Sequence, residues 1–71
     1  MKRASGQPAR RLAKAIVRQR KRLGLTQESA AFEAELSVRH YQHIESGSAN
    51  PRFGSLLTIA RALRLRLSAL L

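Results

Sequence analysis

The chain has 71 residues, which allows one small domain with a single core. Fourteen Lys and Arg against four Glu give a formal net charge of +10, while 44% apolar residues favour a folded chain over wholesale disorder. The absence of Cys excludes disulfides and thiolate metal sites, and no apolar run approaches the roughly 20 residues that cross a bilayer.

The positive charge is distributed unevenly along the chain. Residues 1–27 contain nine basic residues and no acid, whereas residues 28–50 contain all four Glu and a single Arg. A basic field of this density favours a polyanionic partner, either nucleic acid or an anionic membrane surface. A merely solvated basic surface is the weaker interpretation for so small a domain.

The sequence pattern of the N-terminal third of the chain predicts a basic arm followed by one amphipathic helix. Residues 1–7 have no periodic apolar positions and are predicted to be a flexible arm, with a single domain over residues 8–71. Pro8 suits a first helical turn, and Gly24 suits a left-handed helix end. The apolar stripe between them comprises Leu12, Ala13, Ile16, Val17 and Leu23.

Two short helices with good caps are predicted next. Thr26 is predicted to cap a helix over residues 27–34, and Ser37 is predicted to cap a helix that ends at Gly47. In the second of these helices, Tyr41 and Ile44 are predicted to face the core, with the Tyr41 hydroxyl reaching the surface. The alanines of the helix over residues 27–34 provide a small-residue face that permits close helix packing.

The rest of the chain predicts a turn, a fourth helix and a short apolar tail. Asn50-Pro51 indicates a turn, because the residue before a proline is pushed out of helical geometry. The fourth helix, under which Phe53 is predicted to pack, is marked by Leu56, Ile59, Ala60 and Leu63. With no strand-like alternation and no internal repeat, the predicted fold class is all-α, a compact bundle of four to five short helices.

Two short helices joined by a tight turn in a basic domain indicate a helix–turn–helix, whose second helix enters the major groove of DNA. Four blocks sharpen this interpretation: GLTQE at 24–28, IESG at 44–47, NP at 50–51, and Leu56 followed by IARAL at 59–63. With these blocks the chain resembles, without gaps from about Leu12 to Leu70, the phage-repressor-like (Cro/cI, xenobiotic-response-element) DNA-binding family. The resemblance implies a lambda-repressor-like bundle.

The resemblance also implies which residues contact DNA. On the recognition helix, about residues 37–46, the base-facing positions are Val38, Arg39, Gln42 and His43. Arginine can bond guanine in bidentate fashion, glutamine can bond adenine, and valine can pack on a thymine methyl group. The resemblance and the basic charge together give the candidate phosphate contacts, which are Gln27, Ser37, Ser46, Ser48, Asn50, Arg52, Arg10 and Arg11.

Arg20 and Glu45 match a pair that, in the family, ties the first helix to the end of the recognition helix. The chain also departs from the family pattern. Glu35 and Arg64 stand where Gly is usual, and a left-handed residue other than Gly costs about 1–2 kcal/mol. Arg52 and Arg66 replace the usual Ser-like caps of the last two helices.

The leading prediction is a repressor-like, sequence-specific transcriptional regulator in a bacterial or phage-like cytoplasm. Its predicted partners are double-stranded DNA and a second copy of the chain, because one recognition helix reads only a few base pairs. The predicted dimer contact is the apolar tail of Leu65, Leu67, Leu70 and Leu71. The alternative is an antitoxin with a toxin or co-regulator partner, or a restriction–modification controller that regulates its own operon.

Other classes explain less of the chain. A membrane-surface role would use the cationic amphipathic stretch 9–23 but leaves the capped helices after Thr26 unexplained. Catalysis is rejected, because there is no Asp, no Cys and no Gly-rich phosphate loop. RNA-binding modules rely on stacking, and the chain has only three aromatic residues. His40 and His43 have no third ligand at a suitable spacing, so neither a metal nor a cofactor is predicted.

Overall fold

The computed structural model describes the backbone of residues 6–70 and the side chains of residues 9–70. The described backbone forms five helices and no strand, which confirms the all-α prediction. The helices are α1 (Gly6–Arg22), α2 (Gln27–Glu33), α3 (Val38–Glu45), α4 (Phe53–Ala62) and α5 (Leu67–Leu70).

The first helix begins earlier than the sequence indicates. α1 starts at Gly6, two positions before Pro8 and inside the predicted arm. Pro8 is compatible with this start because the first N–H groups of a helix need no partner within it. Residues 1–5 of the predicted arm, and Leu71 of the predicted tail, lie outside the described residues.

The predicted caps of α2 and α3 are present. The Thr26 hydroxyl accepts a hydrogen bond from the Ser29 amide at 3.0 Å, and the Ser37 hydroxyl accepts one from the His40 amide at 3.0 Å. Gly47 follows α3 with a φ of +79°, the left-handed conformation that glycine adopts without a Cβ penalty. Local sequence signals therefore give the limits of both helices of the helix–turn–helix.

The same left-handed ending occurs at two positions without glycine. Glu35 after α2 and Arg64 after α4 have φ values of 60° and 57°. Each turn is closed by an amide that bonds back into the helix: Leu36 to the Ala31 carbonyl at 2.9 Å, and Leu65 to the Ala60 carbonyl at 2.8 Å. The chain thus keeps the family's turn geometry at a cost of about 1–2 kcal/mol per position.

The core lies between the helices and holds α3 in place. Its largest fully buried side chains are Tyr41, Ile16, Ile44, Ile59 and Leu63. α3 packs on α1 and α2, while α2 also packs on α4 through a face of small residues. Three alanines of or next to α2 are at most 1% exposed and belong to the core: Ala30, Ala31 and Ala34.

Two predicted side-chain environments were wrong. Phe53 is 63% exposed, because it lies in the same helical row as the exposed Leu57 rather than with the buried Ile59 and Leu63. The Tyr41 hydroxyl does not reach the surface; it is fully buried and forms no hydrogen bond of acceptable geometry.

The apolar tail packs largely onto its own chain. α5 contacts both α1 and α4, and Leu70 is only 7% exposed. Leu65 and Leu67 are half-buried, and Leu65 packs against the core. The described part of the tail therefore offers little free apolar surface of its own.

Candidate nucleic-acid interface

α3 divides into a buried face and an exposed face. Tyr41 and Ile44, three positions apart, point into the core. All four predicted base-facing side chains are exposed and occupy the other side of the helix: Val38, Arg39, Gln42 and His43. The packing of one face on α1 and α2 leaves the opposite face free to enter a groove.

An ion pair fixes the end of α3 to α1. Arg20 donates through Nε to Glu45 Oε2 at 2.6 Å and through Nη2 to Glu45 Oε1 at 3.1 Å. A third bond runs from Arg20 Nη1 to the Leu25 carbonyl at 2.9 Å. The two side chains are only 12% and 4% exposed, so this pair is much more buried than an ordinary surface ion pair. It links α1, the turn before α2, and the last residue of the recognition helix.

A hydrogen-bond chain extends from this ion pair to the exposed face of α3. Gln27 Nε2 donates to Glu45 Oε1 at 2.9 Å, and Gln42 Nε2 donates to Gln27 Oε1 at 3.1 Å. Gln42 retains one amide hydrogen and its carbonyl oxygen, one donor and one acceptor. Gln27 therefore orients a predicted base-facing side chain as well as bracing α3.

The ionisation of the group follows from its burial and its hydrogen bonds. Burial alone would raise the pKa of Glu45, but hydrogen bonds led by those from Arg20 outweigh it, and the pKa lies below 4.5. The hydrogen bond to Glu45 raises the pKa of Arg20. Burial, reinforced by the neighbouring Glu45, raises the pKa of Tyr41. At neutral pH the ion pair is charged and Tyr41 is protonated.

The predicted phosphate contacts occupy different places around α3. Ser46 and Ser48 line an open hollow of about 270 Å³ together with Arg39, Gln42 and His43. The Ser46 hydroxyl is already engaged there, since it donates to the His43 carbonyl at 2.7 Å and lies 2.8 Å from the Ser48 hydroxyl. The hollow therefore brings three predicted base-facing residues together with two predicted phosphate contacts.

The remaining phosphate candidates lie around this centre. Arg52 lies apart from the hollow, in a depression it shares with Glu35 at the end of α2. Arg10 lies on α1 beside Ser46, across from the C-terminal end of α3. The exposed candidates are Arg10, Arg11, Ser37, Ser46, Ser48, Asn50 and Arg52, and Gln27 is half-buried.

Sequence reasoning missed the contact between Gln27 and Gln42, which are 15 positions apart and carry no shared local signal. It also assigned no DNA contact to Lys14 and Arg18, which line a groove beside α3, and interpreted Arg18 as part of a solvated basic face. Their spacing of four residues on α1 was the available signal.

In residues 6–70, no helix has both the length and the apolar character needed to cross a membrane. Among the described side chains there is also no cluster of three or more His, Asp or Glu that could hold a metal ion.

Comparisons with known proteins agree with this geometry. The family model described as helix-turn-helix matches residues 16–70. The fold is similar to the crystal structure of the restriction-modification controller protein C.AhdI from Aeromonas hydrophila, with a TM-score of 0.85 and 25% sequence identity. That similarity covers 89% of this chain and 96% of the other. No curated protein sequence matches the chain significantly. Since the family model matches most of its length, the chain belongs to the helix–turn–helix family and is a transcriptional regulator that binds double-stranded DNA.

Proposed function

We propose that the chain is a sequence-specific, repressor-like regulator that inserts α3 into the major groove and has no catalytic activity. The observation that carries the proposal is the exposed polar face of α3, oriented by the hydrogen-bond chain from Arg20 through Glu45 and Gln27 to Gln42. Side chains held in one orientation before binding lose less entropy when they contact bases.

The chemistry of this face suits base recognition. Gln42 has one donor and one acceptor left, which is what a bidentate contact to the N7 and N6 atoms of adenine requires. Arg39 is exposed and can bond guanine through two N–H groups, while Val38 offers a methyl surface to thymine. His43, on the same side, completes the proposed reading face.

Phosphate contacts fix the register of the helix on the duplex without reading the sequence. Gln27 keeps one amide hydrogen for a phosphate after its two contacts to Glu45 and Gln42. The other proposed phosphate contacts are Ser37, Ser46, Ser48, Asn50, Arg52, Arg10 and Arg11.

We also propose that two copies bind a two-fold operator, with half-sites about 34 Å apart. The proposed contact is centred on the C-terminal tail, and the exposed Phe53 and Leu57 of α4 supply the large apolar surface that the described tail lacks. Sedimentation of a Phe53→Ser, Leu57→Ser variant tests this proposal. A monomer supports it, and a dimer as stable as that of the unchanged protein refutes this interface.

The test of sequence reading is selection of duplexes from a randomised pool at about 150 mM salt, where sequence-neutral phosphate binding is weak. We expect an enriched inverted repeat. Arg39→Ala and Gln42→Ala should each relax one position of it and weaken binding by about 1–3 kcal/mol. Arg61→Ala, which removes the same charge from α4, is the matched control. A pool that shows no enrichment would refute sequence reading.

The similarity to a restriction-modification controller favours one specific role within this class. The two chains correspond over nearly their whole lengths, so the comparison covers the complete bundle rather than the helix–turn–helix alone. We propose control of restriction–modification genes as the second candidate, ahead of the antitoxin alternative. Selective binding to the DNA upstream of the chain's own gene, with such genes adjacent, would support it. Equal affinity for unrelated promoter DNA would contradict it.

A further inference from the structure

A groove of about 370 Å³ lies between α1 and the C-terminal end of α3. Three basic residues of α1, four positions apart, line it: Arg10, Lys14 and Arg18. All three side chains are exposed. Only one of these residues was predicted to contact DNA, so the groove raises the question of what the other two are for.

The floor of the groove is apolar and continues toward the recognition face. Ala13, 4% exposed, and the half-buried Val17 line it together with the basic side chains of α1 and with Glu45 and Ser46 at the end of α3. Ser46 lines both this groove and the hollow that contains Arg39 and Gln42. The groove is therefore continuous with the surface proposed to read bases.

Among the side chains that the structure describes, no carboxylate lies within 4.0 Å of these three basic groups. Of the described acidic side chains, Glu45 alone lines the groove, but it is 4% exposed and holds Arg20. Among the described side chains, the pair of Arg20 and Glu45 is the only ion pair within 4.0 Å. Like charges four residues apart on a helix repel each other, so the free protein carries a repulsion that an anionic ligand would relieve.

Close packing fixes the groove relative to α3. A Cβ at Gly47 would lie 3.3 Å from Arg10 Cγ and 3.5 Å from Arg10 Cα, so the turn after α3 lies directly against the first turns of α1. The basic side chains therefore have a defined place beside the recognition helix.

We propose that this groove holds the sugar–phosphate backbone of the same duplex that α3 reads, a proposal that rests on the function proposed above. Arg10, Lys14 and Arg18 bind phosphates, while deoxyribose rings pass over Ala13 and Val17. From Arg10 to Arg18 the helix rises about 12 Å. That length is enough to reach more than one phosphate of a strand, since the phosphates of one strand are about 3.4 Å apart along the duplex axis. The new binding residues are Lys14 and Arg18, and the partner is duplex DNA outside the base-contacting region.

The experiment measures affinity for the selected duplex between about 50 and 200 mM salt, using Lys14→Ala, Arg18→Ala and the double variant. Loss of one phosphate contact lowers the slope of log affinity against log salt by about 0.9, which is about a 3.5-fold change over this range. The double variant should lose about twice that slope. The selected base sequence should stay the same, in contrast to Arg39→Ala.

The control is Arg61→Ala, because Arg61 is an exposed arginine of α4 that lines a different depression, together with Glu33, and not the groove. It should leave the slope unchanged. The thermal unfolding of the Lys14 and Arg18 variants should match or exceed that of the unchanged protein, which separates lost binding from lost folding.

The outcomes separate the two proposals. If the unchanged protein enriches no sequence, the proposed function fails. If it enriches an operator but the Lys14 and Arg18 variants keep its salt slope, only the groove is wrong. The groove assignment is likewise overturned if these variants lose binding to vesicles containing phosphatidylglycerol while their affinity for DNA is unchanged.

Discussion

Replacement of Glu35 by glycine should stabilise the protein even though it removes a side chain. Glu35 has a φ of 60°, and a residue with a Cβ costs about 1–2 kcal/mol in that conformation. Glycine removes this cost but loses more backbone entropy on folding, about 0.5–1 kcal/mol. From the midpoints of these two ranges, the net expectation is a gain of about 0.75 kcal/mol in the free energy of unfolding. For 71 residues, that gain corresponds to a rise in Tm of about 3–6 °C.

Thermal and urea unfolding of Glu35→Gly measure this gain, and two variants isolate its cause. Glu35→Ala removes the same charge but keeps the Cβ, so it should unfold close to the unchanged protein. Glu33→Gly removes an equal charge from the last residue of α2 and should destabilise the protein by about 0.5–1 kcal/mol. If Glu35→Ala stabilises as much as Glu35→Gly, charge rather than backbone conformation is responsible, and the strain argument is wrong.

Three further expectations concern the supports of α3. Arg20→Ala should lower the free energy of unfolding by about 3–5 kcal/mol, because it leaves the Glu45 carboxylate buried and unpaired. Urea unfolding at pH 7 should show a larger loss for Arg20→Ala than for Glu45→Gln; equal losses would contradict this. The pKa of Glu45 is lowered on folding, so its contribution to stability is present above about pH 4.5 and declines as pH falls through its folded pKa. Glu45→Gln should remove that part of the loss of stability at acid pH. An unchanged profile of unfolding free energy against pH would contradict this contribution of Glu45. Gly47→Ala should lower Tm, because Gly47 has a φ of +79° and an added Cβ would lie 3.3 Å from Arg10. Gly54→Ala should raise Tm, because Gly54 lies in α4 and an added Cβ would meet no atom within 4 Å beyond its own helix backbone.

The sequence predicted those parts of the fold that depend on neighbouring residues. The caps at Thr26 and Ser37 and the left-handed Gly47 are local, since each is set by a few residues and the hydrogen bonds between them. The net charge and the spacing of the four motifs predicted the family, because both can be read directly from the sequence. The sequence predicted the start of α1 less accurately, because Pro8 is compatible with several positions in a first turn.

The sequence could not predict features that depend on how the helices pack. Phe53 and Leu56 are both apolar residues near the start of α4, and only the packed arrangement decides that Phe53 remains exposed. The Tyr41 hydroxyl is buried near Arg20 of α1, so its burial depends on how α1 packs on α3. Gln27 and Gln42 lie 15 positions apart, so their contact exists only once α2 and α3 have packed. The side-chain roles in DNA binding remain predictions that the binding experiments will decide.

The hydrogen bonds around Glu45 determine whether α3 could be transferred to another protein and keep its orientation. Arg20 belongs to α1 and Gln27 to α2, so the donors that orient the end of α3 come from outside it. A transplanted segment of residues 37–46 would carry the side chains predicted to face the bases but neither donor. Transfer of this specificity to another scaffold therefore requires an arginine and a glutamine at matching places in the host. If α3 reads DNA as proposed, the smallest unit that does so in this protein is an arrangement of three helices rather than one.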